Sequence, residues 1–195
     1  MLVALEPALT SEGVPTDTEL VEAARAGDSR AQEMLFRRYA PMVNNLAFRL
    51  MPREGLADDL VQDTFVKALT HLDRLNNPAA FAGWLKTIVV HTAHKRFRRA
   101  RVAERLGLRR REEPDFERIA STSAPPEVRA ELKRLYLALE RFPSDERTVL
   151  LLHRVEGMSL PQISEHLGKS LSTVKRRLSG AQGRLERVTG ESRHD

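Results

Sequence analysis

The chain has 195 residues, of which 41% are hydrophobic and 5% aromatic, which suits one or two small domains. Lys and Arg number 32 against 27 Asp and Glu, and the formal charge of +5 favours a polyanionic partner. Cysteine is absent, which excludes disulfides, thiolate chemistry and cysteine-based zinc sites, and no run approaches the ~20 apolar residues that cross a bilayer.

The N-terminus, MLVALEPALTSEGVPT, has a short apolar start without a basic region before it. It does not read as a secretory signal, so we expect a cytoplasmic protein with no membrane insertion. Residues 1–15 are expected to be a tail. Thr16 or Asp17 can cap a helix carrying Leu20, Val21 and Ala24, which Gly27 ends. Ser29 and Gln32 form a capping box for a second helix with Leu35, Val43, Leu46 and Leu50 on its apolar side. Pro41 is expected to kink or divide it, because a mid-helix proline removes a hydrogen bond.

After a Met51–Gly55 connector, a helix from Leu56 to Leu72 carries Leu60, Phe65 and Leu69 on one side. Asp58, Asp59, Gln62 and Asp63 fall on its other side, a concentrated acidic face. Nothing beside it completes a metal or acid–base site; it reads as a solvated face or, in a basic protein, as a docking site for a basic partner. Asn77 and Pro78 start a long helix to about Arg99, with Phe81, Trp84, Leu85, Ile88 and Val89 as its apolar content. Beyond Trp84 that helix carries Lys86, His91, His94, Lys95, Arg96, Arg98 and Arg99. A cationic face with an aromatic at one end suits phosphate contact and base stacking on opened, single-stranded DNA. The competing reading is that Phe81 and Trp84 are core. His91 and His94 stand three residues apart, but no carboxylate or thiolate converges on them to make a metal site.

From 100 to 125 the periodicity weakens, and RVAERLGLRRREEPDFERIASTSAPP has the composition of a flexible linker. Its Arg109–Arg111 block reads equally well as solvated linker or as nucleic-acid contact. The second module begins near Pro126, with Val128, Leu132, Leu135 and Leu139 on its first helix. Ser144 is expected to cap the next, with Val149, Leu152 and Val155 inside and Gly157 as the stop.

SLPQISEHLGKSLSTVKRRLSGAQGRLER, from Ser159 to Arg187, is a helix-turn-helix pattern. Ser159 with Gln162 makes a capping box, and Ile163 and Leu167 are apolar one turn apart. Ser164 is small where the second helix must approach, and Gly168 sits at the turn, where a positive φ is cheap only for glycine. Ser170 can cap the second helix, whose stripe is Val174, Leu178, Ala181 and Leu185. Lys169, Lys175, Arg176, Arg177 and Arg184 surround that stripe.

With no strand-like alternation, the fold is expected to be all-α. It divides into a tail 1–15, a helical bundle 16–99, a linker 100–125, a helix-turn-helix bundle 126–188 and a tail 189–195. ELVEAARAGDSRAQEMLFRRYAPMV, DDLVQDTFVKAL, FAGWLKTI and EGMSLPQISEHLGKSLSTVKRRL, in that order and spacing, resemble a bacterial RNA polymerase sigma factor of the extracytoplasmic-function type. The resemblance covers nearly all of residues 17–187 and implies a region 2 domain, a linker and a region 4 domain. It further implies binding to core RNA polymerase, through the beta-prime clamp helices and the beta flap, and promoter-specific initiation without catalysis or cofactor.

In relatives, the positions of Asp58, Asp59, Leu60, Gln62 and Asp63 grip the clamp helices. Those of Asn76, Asn77, Phe81, Trp84, Lys86, His91, Lys95 and Arg98 belong to the minus-10 site, where an unpaired base is captured. Base capture repays a few kcal/mol of unstacking. Ser170, Ser172, Thr173, Lys175, Arg176 and Arg177 match the minus-35 reader. Lys175 and Arg176 are the best candidates for guanine contact, and Ser170, Arg177 and Arg184 for phosphates. His91 and Lys95 stand where the family usually has Asn and Asp. Arg176 replaces a frequent Ser, and Ser179 and Gly180 replace bulkier residues, so late groove contacts are expected to differ.

The resemblance also implies control by an anti-sigma factor. A linker of about 25 residues reaches at most roughly 80 Å, against about 70 Å for two turns of B-DNA. The main rival is a conventional helix-turn-helix regulator, which predicts a receiver or ligand domain in the N-terminal half. No βα alternation or Gly-rich phosphate loop is present there.

Overall fold

A computed structural model describes residues 14–52, 54–107 and 125–191, and it contains eight α-helices and no strand among them. The all-α expectation holds. The N-terminal tail to residue 13, most of the linker with Arg109–Arg111, and residues 192–195 lie outside the described residues.

α1 (Asp17–Arg25) opens on a reciprocal capping box: the Thr16 hydroxyl accepts from the Glu19 N–H, and the Glu19 carboxylate accepts from the Thr16 N–H at 2.7 Å. α2 (Ser29–Leu50) differs from expectation at both of the points named for it. Its cap is Asp28, whose Oδ1 accepts from the Arg30 N–H at 2.8 Å, and Ser29 is already helical. A charged acceptor one residue earlier takes the free amides more strongly than a hydroxyl does. Nor does Pro41 divide the helix, which runs unbroken from Ser29 to Leu50. Burial of Leu35, Val43, Leu46, Ala47 and Leu50 carries it past the missing hydrogen bond.

α3 (Glu54–Thr70) leads into two short 3-10 turns, Leu72–Arg74 and Pro78–Ala80, and then α4 (Phe81–Arg105), six residues past the expected end. The turns are anchored from both sides. Leu72 and Leu75 are buried beneath them, and Arg25 of α1 donates from Nε to the Leu72 carbonyl at 3.1 Å and from Nη2 to the Leu75 carbonyl. Asn77 Oδ1 accepts from the Ala79 N–H at 3.1 Å. The core of this bundle joins Leu20, Leu35, Leu46, Leu60, Phe65, Phe81, Leu85 and Val89. Each such side chain contributes ~1.5–3 kcal/mol on burial.

The second bundle comprises α5 (Pro126–Leu139), α6 (Ser144–Arg154), α7 (Leu160–Leu167) and α8 (Leu171–Glu191). Ser144 is not the cap of α6: that position is Pro143, which makes no side-chain bond, and the Ser144 carbonyl accepts from the Thr148 hydroxyl at 2.7 Å. Pro143 supplies the extended entry by itself, since its ring fixes φ. The box of Ser159 and Gln162 forms as expected, and Gly168 closes α7 at φ +57. Ser170 Oγ accepts from the Thr173 N–H at 3.3 Å and so starts α8.

The two bundles touch. α6 packs on α8 on one side and against α4 and the end of α2 on another, while α7 also packs on α4. Consequently α6 is buried from Arg147 through Leu152, six consecutive residues, and not only along a stripe. A helix buried all round must be covered by neighbours on every side.

Candidate nucleic-acid interfaces

On α3, Asp58 and Gln62 are exposed, as expected of a docking face, and Val66 stands beside them 57% exposed. Leu60 is fully buried and supports that face from beneath. Asp59 and Asp63 are not free carboxylates. Arg96 of α4 reaches across, with Nη2 2.6 Å from Asp63 and Nη1 3.2 Å from Asp59. Arg96 therefore ties α3 to α4, and part of the acidic face belongs to the fold.

Between α3, the turn after it and α4 lies an open cavity of about 340 Å³. Trp84 and Ile88 form apolar wall, and Lys67, His71, Arg74, His91 and Lys95 supply cationic or titratable groups around it. Trp84 is half-buried and its ring centroid stands 6.0 Å from that of Phe81. Phe81 is 1% exposed and touches the Tyr39 ring below, so it supports the site from the core. Asn76, Asn77, His91, Lys95 and Arg98 are exposed, and Lys86 is partly so.

Lys67, His71, Arg74 and Thr87 line this cavity without having been singled out from the sequence. A signal for three of them was available, since 67, 71 and 74 recur at helical spacing. Lys67 Nζ donates to Thr92 Oγ1 at 3.0 Å, and burial is the largest effect in lowering its pKa from the ordinary lysine value. A flat aromatic wall, an apolar floor and a cationic rim can hold one unpaired base and its phosphates.

On α8, Ser172, Lys175 and Arg176 are exposed, Thr173 is partly exposed, and Val174, Leu178 and Ala181 are buried beneath them. The expected division of α8 into a buried apolar stripe and an exposed face is present. Arg177 points away from that surface, paired with Asp145 of α6, and Arg184 Nε lies 2.8 Å from Glu146 of α6. Gly180 faces the same helix. A Cβ there would stand 3.2 Å from the Glu146 carboxylate, so its small size serves packing on α6. Between α5 and α8 runs an open groove of about 680 Å³ with Val128, Leu132, Leu135 and Val188 along it.

Side chains of the two bundles also meet each other. Thr87 Oγ1 of α4 is 2.6 Å from His166 Nδ1 of α7. His94 Nε2 lies 3.1 Å from the Asp145 carboxylate that also holds Arg177. His94 thus faces the second bundle and not the cavity. Its pKa is lowered: burial is the largest effect, Asp145 opposes it, and Arg177, Arg98 and His91 add to it. His166 is lowered as well, by burial first, with Lys86 and His91 adding and Glu165 opposing. No group of three or more potential ligands for a metal occurs among the described residues.

Comparison with known proteins gives two family matches, Sigma-70 region 2 over residues 35–102 and Sigma-70, region 4 over residues 132–181. The chain is 33% identical over 176 residues to the ECF RNA polymerase sigma factor SigM of Mycobacterium tuberculosis, covering 90% of this chain and 85% of the relative. It is 29% identical to the RNA polymerase sigma factor CarQ of Myxococcus xanthus, covering 88% and 96%. Among solved structures it is similar to CnrH in complex with the cytosolic domain of CnrY, with a TM-score of 0.59, 28% identity and coverage of 90% and 97%. A sigma factor RpoE bound to the anti-sigma factor NepR, from Bartonella quintana, shares the fold at a TM-score of 0.61 and 23% identity, covering 81% and 96%.

Proposed function

The chain belongs to the extracytoplasmic-function RNA polymerase sigma factors, and on that premise we propose how its residues grip polymerase and promoter. Core RNA polymerase docks on the exposed part of α3, centred on Asp58, Gln62 and Val66. The apolar groove between α5 and α8 takes the beta flap. One unpaired base of the minus-10 element enters the cavity beside Trp84, where stacking, the cationic Lys67, Arg74 and Lys95 and the imidazoles of His71 and His91 hold it. Lys175 and Arg176 read base edges of the minus-35 element in the major groove. Ser172 and Thr173 contact the same element.

No bond is made or broken in this mechanism. Strand opening is driven by binding the unpaired base, with the upstream duplex anchored by α7 and α8. The observation that carries the reading is the pairing of two surfaces on two bundles: an aromatic cavity with a cationic rim, and a basic helix standing on a buried stripe. Regulation by an anti-sigma factor is part of the proposal, since a solved relative is a complex with a cytosolic partner domain. No described helix is long and apolar enough to cross a membrane.

Transcription in vitro with core polymerase and a library of genomic fragments tests the reading. Promoter-specific transcripts that depend on this chain are expected. Their absence from every fragment, with binding of duplex DNA retained, would leave a conventional regulator as the better description.

A further inference from the structure

α8 is held against α6 by more than its apolar stripe. Val174, Leu178 and Ala181 are buried and fix the depth at which the helix sits. Such a stripe resists rotation about the helix axis only weakly, because hydrophobic attraction is non-directional. Directional contacts come from one flank. Arg177 is paired with Asp145, and Arg184 Nε lies 2.8 Å from the Glu146 carboxylate. Positions 177 and 184 stand about two turns apart, so the first turn of α6 grips about 10 Å of α8. Gly180 falls between them, and a Cβ there would stand 3.2 Å from the same Glu146 carboxylate.

Carboxylates favour the N-terminus of any helix, which accounts for the place of Asp145 and Glu146 on α6. It does not account for their reach to α8. Carboxylates beside a DNA-reading helix also repel phosphates. That repulsion falls on sequence-independent attraction: each carboxylate neutralises one arginine that could take any phosphate, and phosphate contacts carry no sequence information. Lys175 and Arg176, meanwhile, stay exposed.

We propose that Asp145 and Glu146 are positioning residues for promoter reading. They fix the rotation of α8 and withhold Arg177 and Arg184 from phosphates, so that base preference is carried by Lys175 and Arg176. At a side-chain radius of ~5–6 Å, a roll of about 20° displaces the reading groups by roughly 2 Å, enough to break a bidentate base contact. The inference rests on α8 as the minus-35 reader. It reverses the sequence expectation that Arg177 and Arg184 contact phosphates.

The Glu146–Arg184 pair tests this, because Asp145 also meets His94 of the first bundle. Upstream duplexes are first selected from a randomised pool with the holoenzyme. Affinity of the full chain for the selected duplex and for a mixed-sequence duplex is then measured across a salt series. Arg184→Gln should leave the salt slope unchanged. Glu146→Gln frees Arg184 and should steepen the slope by about one, with tighter mixed-sequence binding. Both should lower the ratio of selected to mixed-sequence affinity by about fivefold, the scale of one exposed ion pair. Exchanging the charges, with Glu146→Arg and Arg184→Glu together, should restore the ratio.

A salt slope shallower by about one in Arg184→Gln would make that residue a phosphate contact and overturn the proposal. So would a ratio unchanged in both single variants, or one left low by the exchange. A wild-type selection that returns no preferred duplex would instead remove the minus-35 reading itself, and this inference with it.

Discussion

Phe81 and Trp84 stand three positions apart on α4 and divide support from recognition. Phe81 is buried at 1% exposure, whereas Trp84 lines the cavity. Phe81→Ala should therefore cost ~3–5 kcal/mol in urea unfolding, the usual range for an emptied aromatic core site. Trp84→Ala should cost less stability than Phe81→Ala, because its ring is only half-buried, and weaken single-stranded DNA binding by ~1–3 kcal/mol. The reverse pattern would exchange their roles. On α8, Lys175→Ala and Arg176→Ala should each relax preference at a single upstream base pair, at ~1–3 kcal/mol in a binding-site selection. A uniform loss over all sequences would make them phosphate contacts. The sequence named both aromatics but could not separate them, because helical spacing puts positions 81 and 84 on nearly the same face.

At the level of elements, α3 is held to α4 by charge. The sequence showed four polar residues opposite an apolar stripe, and only packing shows that Arg96 has taken Asp59 and Asp63. Asp63→Lys should lower stability by about 1 kcal/mol, the scale of a largely solvated ion pair, together with any loss of polymerase affinity. Asp58→Lys changes a carboxylate with no partner in this pairing, so it should weaken polymerase in a pull-down at an unchanged melting temperature. Full polymerase binding by Asp58→Lys would remove that residue from the docking face. Helix starts were legible to within one residue except for α3 and α4, which begin two residues before and about three residues after the expected positions. Asp28 and Pro143 hold the cap positions that the sequence pattern gave to Ser29 and Ser144. Neighbouring candidates compete for the same free amides, and small differences in backbone entry decide between them. The run Val149–Leu152 was a missed signal, since four consecutive apolar residues exceed what one helical stripe needs.

For the whole molecule, the seam between bundles is expected to respond to pH. His166 is held below its ordinary value near 6.5, mainly by burial, with Lys86 and His91 of α4 facing it and Glu165 beside it on α7. His94, also lowered, sits between Asp145 of α6, Arg177 of α8, and Arg98 and His91 of its own helix. A depressed histidine pKa means that the open chain binds the proton more readily. The stabilisation of the closed form is then complete above about pH 6.5 and declines as pH falls through the lowered values. The distance between spin labels on cysteines introduced at exposed Glu33 of α2 and Arg154 of α6 should broaden on acidification, and His166→Gln should reduce that response. An unchanged distance between pH 7.5 and 5.5 would contradict it.

The sequence by itself determined the helices, their stripes and the order of two recognition surfaces, because these depend on periodicity and on residues close along the chain. It also carried the family resemblance, through four motifs in fixed order. Tertiary structure alone decided which charges are spent inside the molecule, which residues beyond the motifs line the cavity, and that the bundles close on each other. Those outcomes depend on pairs such as Arg49 with Glu156 or Thr87 with His166, more than 75 residues apart. No local pattern encodes such pairs, since a charged or hydroxyl side chain reads the same whether it meets solvent or a distant partner.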